Sequence, residues 1–283
     1  MSLRVTIQGV AGCFHDAAAR AYFGTDEIDT VECESFPVMM DTLEADASLL
    51  GIMAIENTIA GALLQNHELL RRSSHTIVGE TKMRISHVLC ALPGLSLADL
   101  TEVGSHPMAL MQCEQYLRHH PHLKLTEMFD TAGTASLIAR GLTDSHMGAV
   151  CGEYAANLYG LEILEKGIET NKRNFTRFLI LADPLAADSL RPRPEDCDKA
   201  SIVFTLPHTN GALSKVLTIF SFYDINLTKI QSMPIIGREW EYRFYADLTF
   251  DSMVRYRQAI DAVRPLINDF RSLGEYKSCC NEI

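Results

Sequence analysis

Short apolar runs alternate with helix-periodic segments through roughly the first 180 residues. Residues 5–7, 51–55, 76–80, 85–91, 102–105 and 147–151 are apolar runs of strand length, and the stretches between them carry apolar positions at helical spacing. Alternation of this kind predicts an α/β layer architecture. A further run at 178–181 closes the region. The tract 183–199 then turns polar and proline-bearing around Arg191-Pro192-Arg193-Pro194, which reads as a linker.

Beyond the linker the rhythm changes. Residues 201–206 read as a strand and 207–211 as a turn, and Leu213, Val216, Leu217 and Phe220 form a helical stripe. Residues 226–232 read as a second strand. Tyr242, Phe244, Ala246, Leu248 and Phe250 alternate with Arg243, Tyr245, Asp247 and Thr249, which predicts a third strand burying one face only. Residues 252–270 read as a helix, with a last short strand near Tyr276. The order βαββαβ predicts a small ferredoxin-like domain with helices on one face of its sheet. The open edges of such a sheet favour side-by-side pairing of two copies.

Polar residues collect where apolar runs end. Glu56-Asn57-Thr58, with Gly61 behind them, follow 52–55. Ligands of open α/β sheets bind outside the carboxyl ends of strands, where these three would sit. Ser105-His106-Pro107 opens a helix whose stripe is Leu110, Cys113 and Leu117, so Ser105 and His106 stand beside backbone N–H groups that favour anions. Asp130 or Thr131 would cap a helix running to Arg140 and Gly141, and Ala132 leaves room for close approach to the backbone. A turn at residues 9–14 leads into an alanine-rich helix but lacks the spacing of a dinucleotide fingerprint. In Asn174-Phe175-Thr176-Arg177-Phe178 a hydroxyl and a permanent cation stand side by side at the mouth of a strand. Taken one at a time, these are also what plain turns and caps look like.

Composition narrows the chemistry. The net charge of −11 argues against nucleic-acid or anionic-membrane partners but leaves small anions open, provided the protein builds a local positive pocket. No run approaches the roughly 20 apolar residues of a membrane span, and the N-terminus reads as a first strand, not a signal peptide. The 8 cysteines show neither Cys-x-x-Cys nor metal spacing, so reduced thiols in a cytoplasmic protein are expected. His119-His120-Pro121-His122 fits a helix-end turn. No metal and no cofactor are expected.

Together, Gly12-Cys13-Phe14, Glu56-Asn57-Thr58, Ser105-His106-Pro107 with Gln112-Cys113, Asp130-Thr131-Ala132, Tyr159-Gly160-Leu161 and Asn174–Phe178 resemble the prephenate dehydratase family, in order and over nearly the whole chain. The tail resembles an ACT regulatory domain through Gly211-Ala212-Leu213 and Ile225–Ile230. The resemblance implies a two-lobed catalytic domain like a periplasmic binding protein at 1–182, a linker at 183–199 and an ACT domain at 200–283. It implies conversion of prephenate to phenylpyruvate, water and carbon dioxide without a cofactor, no fused chorismate mutase domain, and dimers or tetramers assembled through ACT domains.

Thr176 is the proton donor that the resemblance points to, with His106 the chemically conventional alternative. Asn57, Thr58, Ser105, Thr131, Ala132 and Asn174 are expected to bind or orient the substrate. Arg177 and Glu56 are also candidate substrate-binding residues, although Arg177 would point to the opposite strand face from Thr176 and Glu56 would order its loop more than it touches a dianion. The resemblance makes L-phenylalanine the expected effector, held around Asn210, Gly211, Ala212 and Leu213 together with Gln231, Ser232 and Met233. Relatives carry Glu-Ser-Arg-Pro where this chain has Gln231-Ser232-Met233-Pro234, which predicts weakened inhibition. Cys13 and Thr58 stand where the family has a hydroxyl and a serine. A non-catalytic amino-acid sensor and an arogenate dehydratase are the competing expectations.

Overall fold

The computed structural model describes residues 3–25 and 27–279; Cys280 lies outside them. The order is β1 (Leu3–Gln8), α1 (Phe14–Phe23), β2 (Ile28–Cys33), α2 (Phe36–Ala45), β3 (Leu50–Asn57), β4 (Gly61–Ala62), α3 (Leu64–Arg72), β5 (Thr76–Arg84) and β6 (Val88–Ala91). It continues through β7 (Glu102–Ser105), α4 (Pro107–Gln112), α5 (Glu114–Arg118), β8 (Lys124–Glu127), α6 (Thr131–Ala139), β9 (Met147–Cys151), α7 (Glu153–Leu158), β10 (Glu162–Lys166), β11 (Phe175–Ala182) and α8 (Pro184–Leu190). The C-terminal region holds β12 (Lys199–Thr205), α9 (Ala212–Phe222), β13 (Asn226–Pro234), β14 (Tyr242–Thr249), α10 (Met253–Val263) and β15 (Asn268–Tyr276). No helix among the described residues is long and apolar enough to cross a membrane.

Three sheets organise these elements. The first runs β2-β1-β3-β11-β5 with β4 paired to β3, the second β10-β6-β9-β7-β8, and the third β13-β14-β12-β15. In the second sheet β7 is parallel to both β8 and β9, so Ser105, Glu127 and Cys151 end their strands on the same side. Each is followed by a helix, α4, α6 or α7, starting at that edge. Leu89, Val103, Leu110, Cys113, Leu117 and Val150 form the buried core of this layer. Fully burying side chains of that kind contributes about 1.5–3 kcal/mol each, which holds the strand ends in register.

Several elements depart from the sequence reading. β2, β8 and β10 fall in stretches read as helical, because edge strands this polar (Lys124–Glu127, Glu162–Lys166) carry little period-two signal. The run 85–91 is a strand only from Val88. The tract 183–199 contains α8, opened by Asp183 accepting from the Leu185 N–H at 2.9 Å. The helix read over 252–270 ends at Val263, a 3₁₀ turn carries Pro265, and β15 takes Asn268–Tyr276.

The chain divides into two compact units. One comprises residues up to 42, 51–62 and 82–178; the other comprises 43–50, 63–81 and the residues from 179 onward. In the second unit the polar face of β14 is not solvated, contrary to the alternation argument: Tyr245 is 2% and Asp247 7% exposed. The Tyr245 hydroxyl donates to Glu68 on α3 at 2.7 Å and Arg243 reaches the same carboxylate at 3.2 Å. Asp247 accepts from the Ser201 hydroxyl at 2.5 Å. Lys199 donates to both oxygens of Glu80 at 2.9 Å, with both side chains buried. At Gly274 a β-carbon would run into the Ile77 carbonyl, so β15 approaches β5 as closely as only glycine allows. Periodicity reports polarity, and here polar residues are buried because hydrogen bonds and ions satisfy them.

Candidate functional site

The end of β3 and the start of β11 form a joint built from cross-strand pairs. Asn57 Oδ1 accepts from the backbone N–H groups of Ile59 and Ala60, both at 2.9 Å, and Gly61 completes the turn at φ 81°. This turn fixes the Asn57 amide with its nitrogen facing β11. From there Nδ2 donates to Thr176 Oγ1 at 3.0 Å, to Asn174 Oδ1 at 2.7 Å and to the Phe175 carbonyl at 3.2 Å. Thr176 therefore accepts a hydrogen bond, and its own proton meets no acceptor among the described residues. Alternation along the strands sends the neighbours the other way: Arg177 lies 3.8 Å from Glu56, with its guanidinium nearly buried. Thr58 is fully employed, accepting from the Phe175 N–H at 2.9 Å and donating to the Arg173 carbonyl at 3.1 Å.

A second layer of amides continues from Asn174, which is fully buried. Asn174 Nδ2 donates to Gln112 Oε1 at 3.0 Å, and the same oxygen lies 3.0 Å from His87 Nε2. His87 is 2% exposed, and burial lowers its pKa below the usual histidine range. Its neighbour Glu169 accepts from the His87 backbone N–H at 2.9 Å and pairs with Arg84 at 3.3 Å. Burial alone would raise the Glu169 carboxyl, but hydrogen bonds from the His87 and Glu169 amides and the charge of Lys172 outweigh it and set it low. Phe14, at the start of α1, stands edge-on to His87 with ring centres 5.6 Å apart.

The parallel strand ends of the second sheet carry the remaining residues. Ser105 is fully buried and its hydroxyl donates to the Val150 carbonyl at 2.5 Å. His106 is the exposed N-cap of α4, its Nδ1 accepting from the Met108 N–H at 3.2 Å, which leaves Nε2 as the outward nitrogen. Asp130 caps α6 through the Gly133 N–H at 2.6 Å, and burial raises its pKa. Thr131 and Ala132 form the first turn of that helix, Ala132 fully buried and the Thr131 hydroxyl without a hydrogen bond among the described residues. Cys13 is buried and its thiol is pushed up to about 12, mainly by desolvation, so it stays neutral.

Within the second unit a cavity of about 270 Å³ opens between the loop before α9 and the start of β14, lined by Pro207, Asn210, Ala212, Leu213, Trp240 and Tyr242 among others. Gly211 adopts φ 73° as the N-cap of α9. Gln231, Ser232 and Met233 lie on β13, paired with β14, and do not line this cavity.

The structure thus joins Asn57, Asn174 and Thr176 by direct hydrogen bonds and couples Glu56 to Arg177. No hydrogen bond among the described residues links Ser105, His106, Thr131 or Ala132 to that group. Gln112 was legible only as part of a motif, and His87 and Glu169 were missed. The signal for His87 was the Ser86-His87 pair interrupting the apolar run 85–91, where an unpaired polar residue would be costly.

A sequence profile described as prephenate dehydratase matches residues 5–185. The chain is 36% identical to an arogenate dehydratase/prephenate dehydratase of Arabidopsis thaliana over 97% of its own length and 69% of the plant protein. Its fold matches the prephenate dehydratase of Arthrobacter aurescens, solved in complex with L-Phe, with a TM-score of 0.85 at 26% identity over 97% and 90% of the two chains. It also matches GqqA, described as a quorum quenching acylase, with a TM-score of 0.84 at 27% identity over 98% of each.

Proposed function

The chain belongs to the prephenate dehydratase family, and we propose that it eliminates water and carbon dioxide from prephenate to give phenylpyruvate, as a step toward L-phenylalanine. In this reaction the bond to the ring carboxylate breaks and its electron pair enters the ring. The C–O bond on the opposite side breaks, and a proton supplied to that oxygen lets it leave as water. Aromaticity drives the step; the obstacle is hydroxide as a leaving group.

The observation that carries this reading is the Thr176 hydroxyl, which accepts from Asn57 and donates to no described residue. An alcohol is a weak acid, so Thr176 acts as a preorganised hydrogen-bond donor to the departing oxygen, the kind of contact worth on the order of 10²–10³ in rate. His106 takes the second place as donor, through its outward Nε2. Asn57 and Asn174 orient Thr176. Thr58, Glu56 and Arg177 shape the loop beside it, and Thr131 and Ala132 offer a helix start to a carboxylate.

The βαββαβ region from β12 to β15 is read as an ACT domain in which L-phenylalanine occupies the cavity at Asn210–Leu213. The ring would lie against Trp240 and Tyr242, and inhibition is expected even though Gln231 and Met233 replace the family's charged pair. Pairing of two copies through this region is part of the same reading.

Arogenate differs from prephenate only in carrying an ammonium group in place of the side-chain ketone, and an acid beside the site, such as Asp130 or Glu56, would favour it. The test is product formation by purified protein: phenylpyruvate from prephenate against phenylalanine from arogenate. Faster turnover of prephenate supports the proposal, and faster turnover of arogenate corrects the substrate. Absence of both, from folded protein, refutes the dehydratase reading and makes N-acyl amide hydrolysis or amino-acid sensing the next measurement.

A further inference from the structure

The polarity of the amide relay is set at one end by the Asn57 turn and must be closed at the other. Asn57 Oδ1 is held by two backbone N–H groups, so its nitrogen donates to Asn174, whose oxygen is thereby the acceptor. Asn174 must then donate to Gln112, and Gln112 Oε1 must accept. That leaves His87 Nε2, 3.0 Å from the same oxygen, only one role, that of donor. Its Nδ1 is buried with no hydrogen-bond partner among the described residues, as expected of a nitrogen that carries no proton. With both donors converging on Oε1, the Gln112 amide cannot rotate without opposing two N–H groups. Its Nε2 donates to no described residue, so the amide hydrogens remain available on a half-buried side chain at the end of α4.

We propose that His87 is a positioning residue that acts through Gln112: as the neutral Nε2–H tautomer it locks the Gln112 carboxamide so that its N–H groups are presented to an anionic group of the substrate, and it completes the chain that orients Asn57 and Thr176. Phe14, edge-on to the imidazole, keeps the ring in place. The role in turnover rests on the dehydratase reading, whereas the tautomer and its coupling to Gln112 do not.

The test compares His87→Phe, which keeps an aromatic ring but removes the donor, with His87→Gln, which restores an N–H near the same place. His87→Phe leaves Gln112 Oε1 with the Asn174 donor alone and should lower kcat/KM about 10-fold, the upper end of what one lost hydrogen bond is worth. His87→Gln should recover to within about threefold, and in a Gln112→Met background His87→Phe should cost nothing further. Equal loss in both single variants, or losses that multiply in the double variant, would overturn the proposal. Nitrogen-15 NMR of the histidine side chains, read on the full chain without substrate, covers the cases of an inactive wild type or an unfolded variant. His87 must appear as the neutral Nε2–H form and its Nε2 resonance must move in Gln112→Met; the Nδ1–H form or an unmoved resonance refutes the inference.

Discussion

Replacing Thr176 by valine separates chemistry from architecture. Valine matches threonine in shape and in preference for a strand, so the change removes one oxygen and little else. The structural cost is bounded by what Thr176 holds. Its oxygen accepts one bond, from Asn57 Nδ2 at 3.0 Å, and that nitrogen keeps Asn174 Oδ1 at 2.7 Å and the Phe175 carbonyl at 3.2 Å. No polar group is orphaned, so the loss of stability should stay near 1 kcal/mol. On the proposed role the catalytic cost is larger, because the missing donor would act on charge that develops only as the C–O bond breaks. A loss of 10²–10³ in kcat, about 2.7–4 kcal/mol, is expected with KM nearly unchanged. Steady-state product formation beside a thermal melt reads both quantities, and Thr176→Ser should restore most of the rate. A valine variant with more than a tenth of the native kcat would remove Thr176 from the proton-donor role and pass it to the outward nitrogen of His106.

Three further outcomes are expected. His15 is buried against Phe36 and Phe178, its Nε2 accepting from the Ala54 N–H, and desolvation lowers its pKa from 6.5 to about 4. Below pH 6.5 the unfolded chain takes up a proton that the folded chain refuses, so stability should fall by about 3 kcal/mol from this group as pH drops through that window; urea titrations showing flat stability from pH 7 to pH 4 would contradict it. Lys199→Met takes the cation from the buried Glu80 carboxylate, which keeps the Cys279 N–H at 3.2 Å, and should cost about 3 kcal/mol in denaturant unfolding, while pairing it with Glu80→Leu should recover most of the loss. Trp240 is the single tryptophan and lines the cavity before β14, so L-phenylalanine should change the intrinsic fluorescence saturably; no change, together with no retention in equilibrium dialysis at millimolar ligand, would remove the effector from that cavity.

The layered architecture and the separate polar clusters at Asn57 and at Asn174–Thr176 were legible because each rests on a local signal, an apolar run of strand length or polar residues where such a run stops; that the two clusters meet was not, since Asn57 and Thr176 lie 119 positions apart. Helix starts were read well where a cap and a proline mark them, as at Asp130 and Pro107. Edge strands were not, since β8 and β10 are too polar to alternate cleanly. The buried side of β14 was hidden for a related reason. Arg243, Tyr245 and Asp247 look solvated in sequence and are covered in space by α3 and β12, partners distant along the chain. His87 escaped for the same cause: its value lies in Gln112, 25 positions away.

β14 also divides labour between its two sides. Tyr242 and Phe244 border the cavity, while Arg243 and Tyr245, pointing the other way, grip Glu68 of α3. Because neighbouring positions answer to different surroundings, the residues that line the cavity can be exchanged without loosening the grip on the helix. The lining of the cavity is thereby free to drift over evolutionary time, and the strand that bears it stays anchored throughout.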